Sequence, residues 1–411
     1  MKYFKNIELA EMYKVSPNTI GNWIEAVKDK KLNLQIEDND NRTYILNTPH
    51  NHNVLKDLST KGKKFKNTRS LRTIEPKPEF YTTFTETQII DIATSLEIHK
   101  EIDLKYTYFS SGATWWDNYI KRNIKEGKSY TVNNTIQLLD SNTYFIEALV
   151  KKYNKINIID LGSGNAYPVR NFIDYFQKKN VLNKYIAIDY SSDLLKMAEN
   201  NVKEWFHNTI PVETRNLDFN YELFKDLLFI NTSSNNDSDQ YVNIILFLGT
   251  TIENQRKYNQ SLGIIKNSMG PNDILVLAHR LDSSSSRLAV NFNSNDPAKK
   301  ASDLEQQIKL VLDLLNINED MYDVERIYSE EEKSRIIRAV LKSDINIKIK
   351  TKSFQKIISL QHQDKVIFFR HRHHTFAEVI GILAEVDFNV LHATTSQVNE
   401  EIMVISKLNI A

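Results

Sequence analysis

Two apolar runs constrain this chain more than any other feature. The first, Asn157-Ile-Ile-Asp-Leu161, stops at Gly162-Ser163-Gly164-Asn165-Ala166, and the second, Tyr185-Ile-Ala-Ile, ends in Asp189-Tyr190. Neither alternates in polarity, so each predicts a strand buried on both faces, as in a parallel sheet covered by helices. A helix is expected from Tyr167 to Lys178, directly after the glycine turn. Glycines admit positive φ and a close backbone approach, and an acid at the second strand's end can accept two ribose hydroxyls. Glycine turns also close ordinary strand–helix units. The acid, 27 residues beyond Gly162 (189 − 162), turns the reading toward a nucleoside ligand held by Gly162, Ser163, Gly164 and Asp189.

The pattern continues as helix Asp193 to Trp205, a strand from Val212, a strand Val242 to Leu248 and a strand Asp273 to Ala278. This predicts an α/β, doubly wound, Rossmann-like parallel sheet whose ligand lies beyond the carboxyl ends of the strands. Asp218-Phe219 follows the third strand, where the carboxylate can accept from an adenine amino group while the ring packs on the base. A loop cap beside a core phenylalanine is the plainer alternative.

A chain of 411 residues has room for more than one domain. It contains no cysteine, which excludes disulfides, thiolate metal sites and the thiol nucleophile of cytosine-C5 methylation. No apolar run has bilayer length and the first residues lack a signal-peptide core, so no membrane partner and a cytoplasmic location are expected. Met1 to Arg72 carries 14 Lys/Arg against 8 Asp/Glu, leaving 39 against 44 for the remainder of the totals of 53 and 52. Ile7, Leu9, Ala10 and Tyr13 fall at helical spacing, and Ser16-Pro17 is a cap and first-turn pair for a second helix burying Ile20, Trp23, Ile24 and Val27. Asn18, Thr19 and Asn22 are left to face a partner, and Leu32 to Ile36 with Arg42 to Leu46 suggests a hairpin wing. This segment resembles the winged helix-turn-helix of excisionase and MerR-type regulators. That resemblance implies duplex DNA as a partner through residues 1–72, aided by the lysines between Lys56 and Arg72; a protein-contact role is the alternative. The expected domains are 1–55, a basic linker 56–80, and 81–411.

Beyond Leu104 the chain resembles the histidine-specific Nα-methyltransferases, the family of the ergothioneine-pathway enzyme. Leu161-Gly162-Ser163-Gly164 matches the family's cofactor loop, and Asp218-Phe219 matches its adenine pair. Tyr108-Phe-Ser-Ser-Gly112 looks like its Tyr-Asp-x-x-Gly-Ser segment, and Tyr130-Thr131 sits where it has Tyr-Tyr-Pro-Thr-Arg. Phe247-Leu-Gly249-Thr-Thr-Ile-Glu253-Asn254 is similar to its Phe-Leu-Gly-Ser-Thr-Ile-Gly-Asn. The resemblance implies a class I methyltransferase with an added substrate-binding lobe and S-adenosyl-L-methionine as cofactor. It also implies Gly249 near the cofactor, Asn254 and Tyr130 as catalytic residues positioning an amine, and Tyr108 at the substrate. An amide can orient an amine without being acid or base, and in-line placement matters more than a strong base. A helix cap before Gln255 to Asn267 is the plainer alternative for Asn254.

The departures bear on the substrate. Where the family holds the imidazole of histidine with a Thr-Glu-x-Ser segment, counting back from Leu383 to Phe388 places Phe369-Arg370-His371, with no carboxylate among them. Cationic and aromatic groups there suit an acidic, phosphorylated or aromatic partner. The expected acceptor is therefore a small-molecule amine other than free histidine. His371 and His373 share a strand face, but without a carboxylate or thiolate nearby no metal is expected. Ser283 to Ser286 reads as a lid or linker. A regulator that senses S-adenosylmethionine and binds DNA is the competing reading; methylation of a DNA base is disfavoured because Thr250-Thr-Ile-Glu-Asn replaces the Asn/Asp-Pro-Pro-aromatic loop such enzymes use.

Overall fold

The computed structural model describes residues 3–28, 33–39, 42–65, 71–127, 130–228, 241–249, 251–282, 307–397 and 399–409. The chain divides into two compact units, Met1–Arg72 and Thr73–Ala411.

In the first unit, helices Asn6–Met12 and Pro17–Lys28 precede a hairpin of β2 (Ile36–Asn39) and β3 (Arg42–Leu46), with β1 (Tyr3–Phe4) on the far side of β3. Ser16 Oγ accepts the Thr19 amide at 3.2 Å, so it caps the second helix as its sequence suggests. Ile20, Trp23 and Ile24 are buried with Leu9, Ile45 and Leu55, whereas Ile7 is 65% exposed and contributes nothing to the core. A third helix, Pro49–Phe65, runs unbroken across residue 55, where the sequence placed a domain edge. It is pinned by buried Asn51, whose amide accepts from the Gln35 N–H at 2.8 Å and donates to the Gln35 and Leu46 carbonyls at 2.7 and 2.9 Å. Side chains from Thr60 to Phe65 and residues 66–70, including the linker lysines, lie outside the described residues.

The second unit is built on a seven-stranded sheet ordered β15-β16-β9-β8-β5-β6-β7. Its parallel part is β5 (Lys155–Leu161), β6 (Leu182–Asp189), β7 (Val212–Asn216), β8 (Tyr241–Phe247) and β9 (Ile274–Arg280). The sheet is not wholly parallel: β16 (Glu401–Leu408) pairs antiparallel with β9, and β15 (Phe388–Thr395) pairs antiparallel with β16. Periodicity could not reveal this, because orientation is decided by the connection, here a whole lobe inserted between β9 and β15. Ile156 and Ile158 of β5 face a core that includes Phe172, Ala198 and Ile146, while Ile159 and Leu161 face a second core with Leu262 and Leu383. Helices therefore cover both faces, which is why β5 reads as continuously apolar. At the amino ends of the strands, Asn183, Asn157, Asn243 and Asp273 form a chain of amide hydrogen bonds of 2.8 to 2.9 Å. Polar groups there are satisfied internally, and open space lies at the other end.

The lobe contributes a three-stranded antiparallel sheet of β10 (Tyr322–Ser329), β11 (Ser334–Leu341) and β14 (Lys365–Arg372). A second small sheet joins β4 (Arg72–Ile74), β12 (Ile345–Lys350) and β13 (Gln355–Leu360). Helices Pro78–Thr83 and Glu86–His99 share a core with these sheets through Phe80, Ile92, Ile347 and Phe368. Among the described residues no helix is long and apolar enough to cross a membrane.

Candidate active site

The carboxyl ends of β5 and β6 are locked together by backbone. Gly162 (φ 68°) donates to the Ile188 carbonyl at 2.8 Å, and Gly164 (φ 52°) donates to Asp189 Oδ2 at 2.9 Å. The positive φ of Gly162 favours glycine, and a Cβ there would lie only 3.0 Å from Thr251 Oγ1, a tight contact. Asp189 Oδ1 accepts the Ser191 amide at 2.9 Å. Burial pushes the Asp189 carboxyl above its ordinary value, opposed by the amides of Ser191, Gly164 and Tyr190. Each oxygen retains a second lone pair for a ligand. Ser163 Oγ is buried with no partner among the described residues.

A cavity of about 530 Å³ opens at this turn and is lined by all the expected cofactor groups: Gly162, Ser163, Gly164, Asp189, Asp218, Phe219 and Gly249. Phe219 packs edge-on against Phe247, and Gly249 (φ 68°) leaves open space where a side chain would stand. Asp218 has a partner that its motif did not reveal: Lys105 Nζ lies 2.8 Å from Oδ2, while Oδ1 accepts the Asn220 amide at 3.1 Å. The Lys105 ammonium sits over the Tyr106 and Tyr190 rings and within reach of Asp91 and Asp103. Burial pushes the Asp103 carboxyl up to about 6. Tyr108 lines the same cavity, packed edge-on against Trp116.

The segment after β8 forms a short 3-10 turn, Thr251–Asn254; Thr250 lies outside the described residues. The next helix runs Tyr258–Ser268 with Lys257 at its cap, so Asn254 is not a helix cap. Asn254 instead lines the cavity, and its buried Oδ1 has no partner among the described residues. Tyr130 begins the helix Tyr130–Val150, and its side chain lies outside the described residues. Glu253, beside Asn254, is wholly buried. Its Oε2 is 2.6 Å from His371 Nε2, and its Oε1 accepts the Arg280 amide and lies 3.4 Å from His279 Nδ1. Burial works to raise this carboxyl, but the charge of His371 and the hydrogen bonds outweigh it and hold it below the usual value.

The register of the lobe sheet decides which of Phe369-Arg370-His371 reach the cavity. Arg335 pairs with His371 and Ile337 with Phe369 across β11 and β14, and Arg326 pairs with Ile337 across β10 and β11. Side chains of paired residues share a face. Arg326, Arg335, Ile337, Phe369 and His371 accordingly all line the cavity. Arg370, expected at the substrate, is on the opposite face: it is 6% exposed and its guanidinium pairs with Glu101 at 3.2 Å and with Glu332. Strand alternation is the reason.

The expectation that no carboxylate stands near this strand is also corrected, since Glu253 reaches His371 from another element. His371 Nδ1 and His373 Nε2 are 2.9 Å apart. His374 Nδ1 and His279 Nε2 are 3.1 Å apart. These imidazoles bond to one another, and among the described residues no group of His, Asp and Glu could hold a metal ion. Ser283 to Ser286 lies outside the described residues. Besides Glu253 and Lys105, sequence reading missed Arg280, Arg326 and Arg335. Only the departure of Glu253 from the family's glycine carried a signal; lone arginines on strands carry none.

A family model described as histidine-specific methyltransferase, SAM-dependent, matches residues 90–406. No curated protein matches the chain. Among solved structures, an S-adenosylmethionine-dependent methyltransferase from Clostridium acetobutylicum is 11% identical over 71% of this chain and 98% of its own, with a TM-score of 0.35. Magnesium protoporphyrin IX methyltransferase from Synechocystis, with bound SAH, is 8% identical over 79% of this chain and 100% of its own, at 0.38. The 1,6-didemethyltoxoflavin-N1-methyltransferase of Burkholderia thailandensis is 8% identical over 73% of this chain and 89% of its own, at 0.35.

Proposed function

The chain belongs to the histidine-specific, S-adenosylmethionine-dependent methyltransferases, and from that premise we propose that its acceptor is the amine of an amino-acid-like small molecule other than free histidine. It is an S-adenosylmethionine-dependent methyltransferase with the class I, Rossmann-like α/β fold around a mixed sheet. The observation that carries the proposal is Asn254, which lines the cavity that the glycine turn and Asp189 also line and whose buried Oδ1 has no partner among the described residues.

The groups at the glycine turn fit the cofactor. Gly162 and Gly164 let backbone come close, Asp189 has lone pairs for a ribose diol, and Ser163 Oγ, with no partner among the described residues, gives a further polar contact. Bound S-adenosylmethionine supplies a methyl group on a sulfonium. Asn254 Oδ1 accepts an N–H of the acceptor and so turns the nitrogen lone pair, without competing for the proton. Tyr108 and Tyr130 are assigned to the acceptor beside it, and Asp218 with Phe219 to the adenine, where Lys105 holds the carboxylate in place. His371 and Phe369 wall the far end, and the Glu253 carboxylate lies behind His371 instead of facing the acceptor.

Methyl-labelled cofactor, purified protein and a panel of free amino acids read by mass spectrometry test this. Histidine is expected to be methylated at least roughly tenfold more slowly than the best acceptor, since a site built for other polar groups leaves them unpaired. Efficient trimethylation of free histidine would sink the proposal.

For the first unit we propose a winged helix-turn-helix that binds duplex DNA, which the exposed Asn18 and Asn22 on the capped second helix support. Binding of random duplex by the full chain should be weak and should lose about 0.9 log units per phosphate contact for each tenfold rise in salt. Anisotropy on the full chain and on a Lys61/Lys63/Lys64/Lys66→Ala variant checks it. Absence of binding at low ionic strength would favour a protein-contact module.

A further inference from the structure

Two hydrogen-bond donors stand at the glycine turn with no partner among the described residues. One is Ser163 Oγ, on a residue that is 5% exposed and lines the cavity. The other is the indole nitrogen of Trp116, a residue that also lines the cavity and makes no hydrogen bond among the described residues. Trp116 Nε1 is 3.5 Å from the place a Cβ on Gly164 would take, so the indole edge lies against the turn itself.

The sequence fixes this indole in several ways. Trp116 belongs to the helix Ser111–Glu126, in which Trp115, Trp116, Tyr119 and Ile120 fall at helical spacing and all line the cavity. At the start of that helix a Cβ on Gly112 would lie 2.0 Å from the Thr107 carbonyl oxygen, so glycine is what lets the helix close on the preceding 3-10 turn, Leu104–Tyr108. One residue past Trp116, buried Asp117 ties the helix to the glycine turn, its Oδ1 accepting from Asn165 Nδ2 at 2.9 Å and its Oδ2 from Lys121 Nζ at 2.8 Å. The Trp116 ring stacks on Tyr119 at 5.5 Å, and Tyr108 packs edge-on against it at 5.3 Å.

An indole nitrogen can only donate, and a tryptophan N–H withdrawn from water usually has a partner. The amino-acid end of S-adenosylmethionine offers an ammonium, which donates, and a carboxylate, which accepts; only the carboxylate suits Trp116. The described cations that line the cavity are carried by other elements: Lys105 is bonded to Asp218, and Arg280, Arg326 and Arg335 stand on β9, β10 and β11. Neutral donors are what the turn provides.

We propose that Trp116 Nε1–H, with the Ser163 hydroxyl as a second donor, receives the carboxylate at the methionine end of the cofactor. This makes Trp116 a determinant of cofactor recognition. The inference rests on the reading of the glycine turn as the seat of S-adenosylmethionine.

The full-length protein is titrated by calorimetry with three ligands. S-adenosylhomocysteine has the whole amino-acid end, aminopropylthioadenosine keeps the amine and lacks only the carboxylate, and methylthioadenosine lacks both. Trp116→Phe retains a ring against Tyr119 and Tyr108 and removes the N–H. It should weaken S-adenosylhomocysteine about tenfold, the low end for a hydrogen bond to a charged group because Trp116 is only partly buried. Both carboxylate-free ligands should stay within about twofold of their wild-type affinity, since they never reach the donor. Trp116→His, which keeps a ring donor, should recover part of the loss.

Should the phenylalanine variant fail to fold, the indole N–H proton resonances of the wild-type protein give a readout that needs no substitution. One of the four tryptophan signals should move downfield with S-adenosylhomocysteine and stay in place with aminopropylthioadenosine. Unchanged S-adenosylhomocysteine affinity in Trp116→Phe, an equal loss for all three ligands, or the absence of any carboxylate-dependent indole shift overturns the proposal. Failure of S-adenosylhomocysteine to bind the wild-type protein would instead strike the cofactor reading beneath it.

Discussion

Asp189→Ala is expected to weaken S-adenosylhomocysteine binding by about a hundredfold to ten-thousandfold. Two charge-assisted bonds to the ribose hydroxyls are lost, at about 1.5–3 kcal/mol each, and about 1.4 kcal/mol corresponds to a factor of ten. The substitution also releases the Gly164 amide, so the turn loses one of its bonds to β6 and keeps that of Gly162 to the Ile188 carbonyl. Asp189→Asn should fall in between, because its amide oxygen can still serve one backbone donor while its NH₂ opposes the other. Isothermal calorimetry, with circular dichroism to confirm folding, measures both; unchanged affinity in the alanine variant would remove Asp189 from the cofactor site.

Glu253→Gly, which restores the residue the family carries here, is expected to destabilise the protein by about 3–5 kcal/mol. The carboxylate is wholly buried and answers His371, His279 and the Arg280 amide together, so its removal takes the counter-charge from the two imidazoles and this acceptor from the Arg280 amide. Glu253→Gln keeps an acceptor and should cost less. Urea denaturation followed by fluorescence gives the comparison. A glycine variant as stable as wild type would mean that the imidazoles regain partners elsewhere, and that the Glu253 cluster does not hold the lobe wall.

The cofactor half was legible because its constraints are local: two strands buried on both faces, a turn whose positive φ angles favour glycine, and an acid at a strand end. Gly162, Gly164, Asp189, Asp218 and Asn254 reach one cavity as their motifs suggest. The acceptor end was not, because it is assembled by pairing between strands far apart in sequence. Whether Arg370 or its neighbours face the cavity depends on a register that a single strand does not encode. Arg335 becomes a neighbour of His371 only through that register, and Glu253 arrives under the same imidazole from a loop more than a hundred residues earlier. Lys105 was hidden for the same reason, its partner Asp218 being remote in the chain.

The order of the strands also bears on how the molecule is made. β9 is synthesised with β8 already available on one side, but its other neighbour, β16, is translated only after the entire lobe. Until then β9 presents a bare sheet edge, a row of unsatisfied backbone groups open to pairing with another chain. Closure of that edge by Glu401–Leu408 couples completion of the cofactor half to emergence of the lobe. A nascent chain stalled inside the lobe would thus carry a nearly finished nucleotide fold with an adhesive flank, which makes the interval between β9 and β16 the stretch of translation most exposed to misassembly.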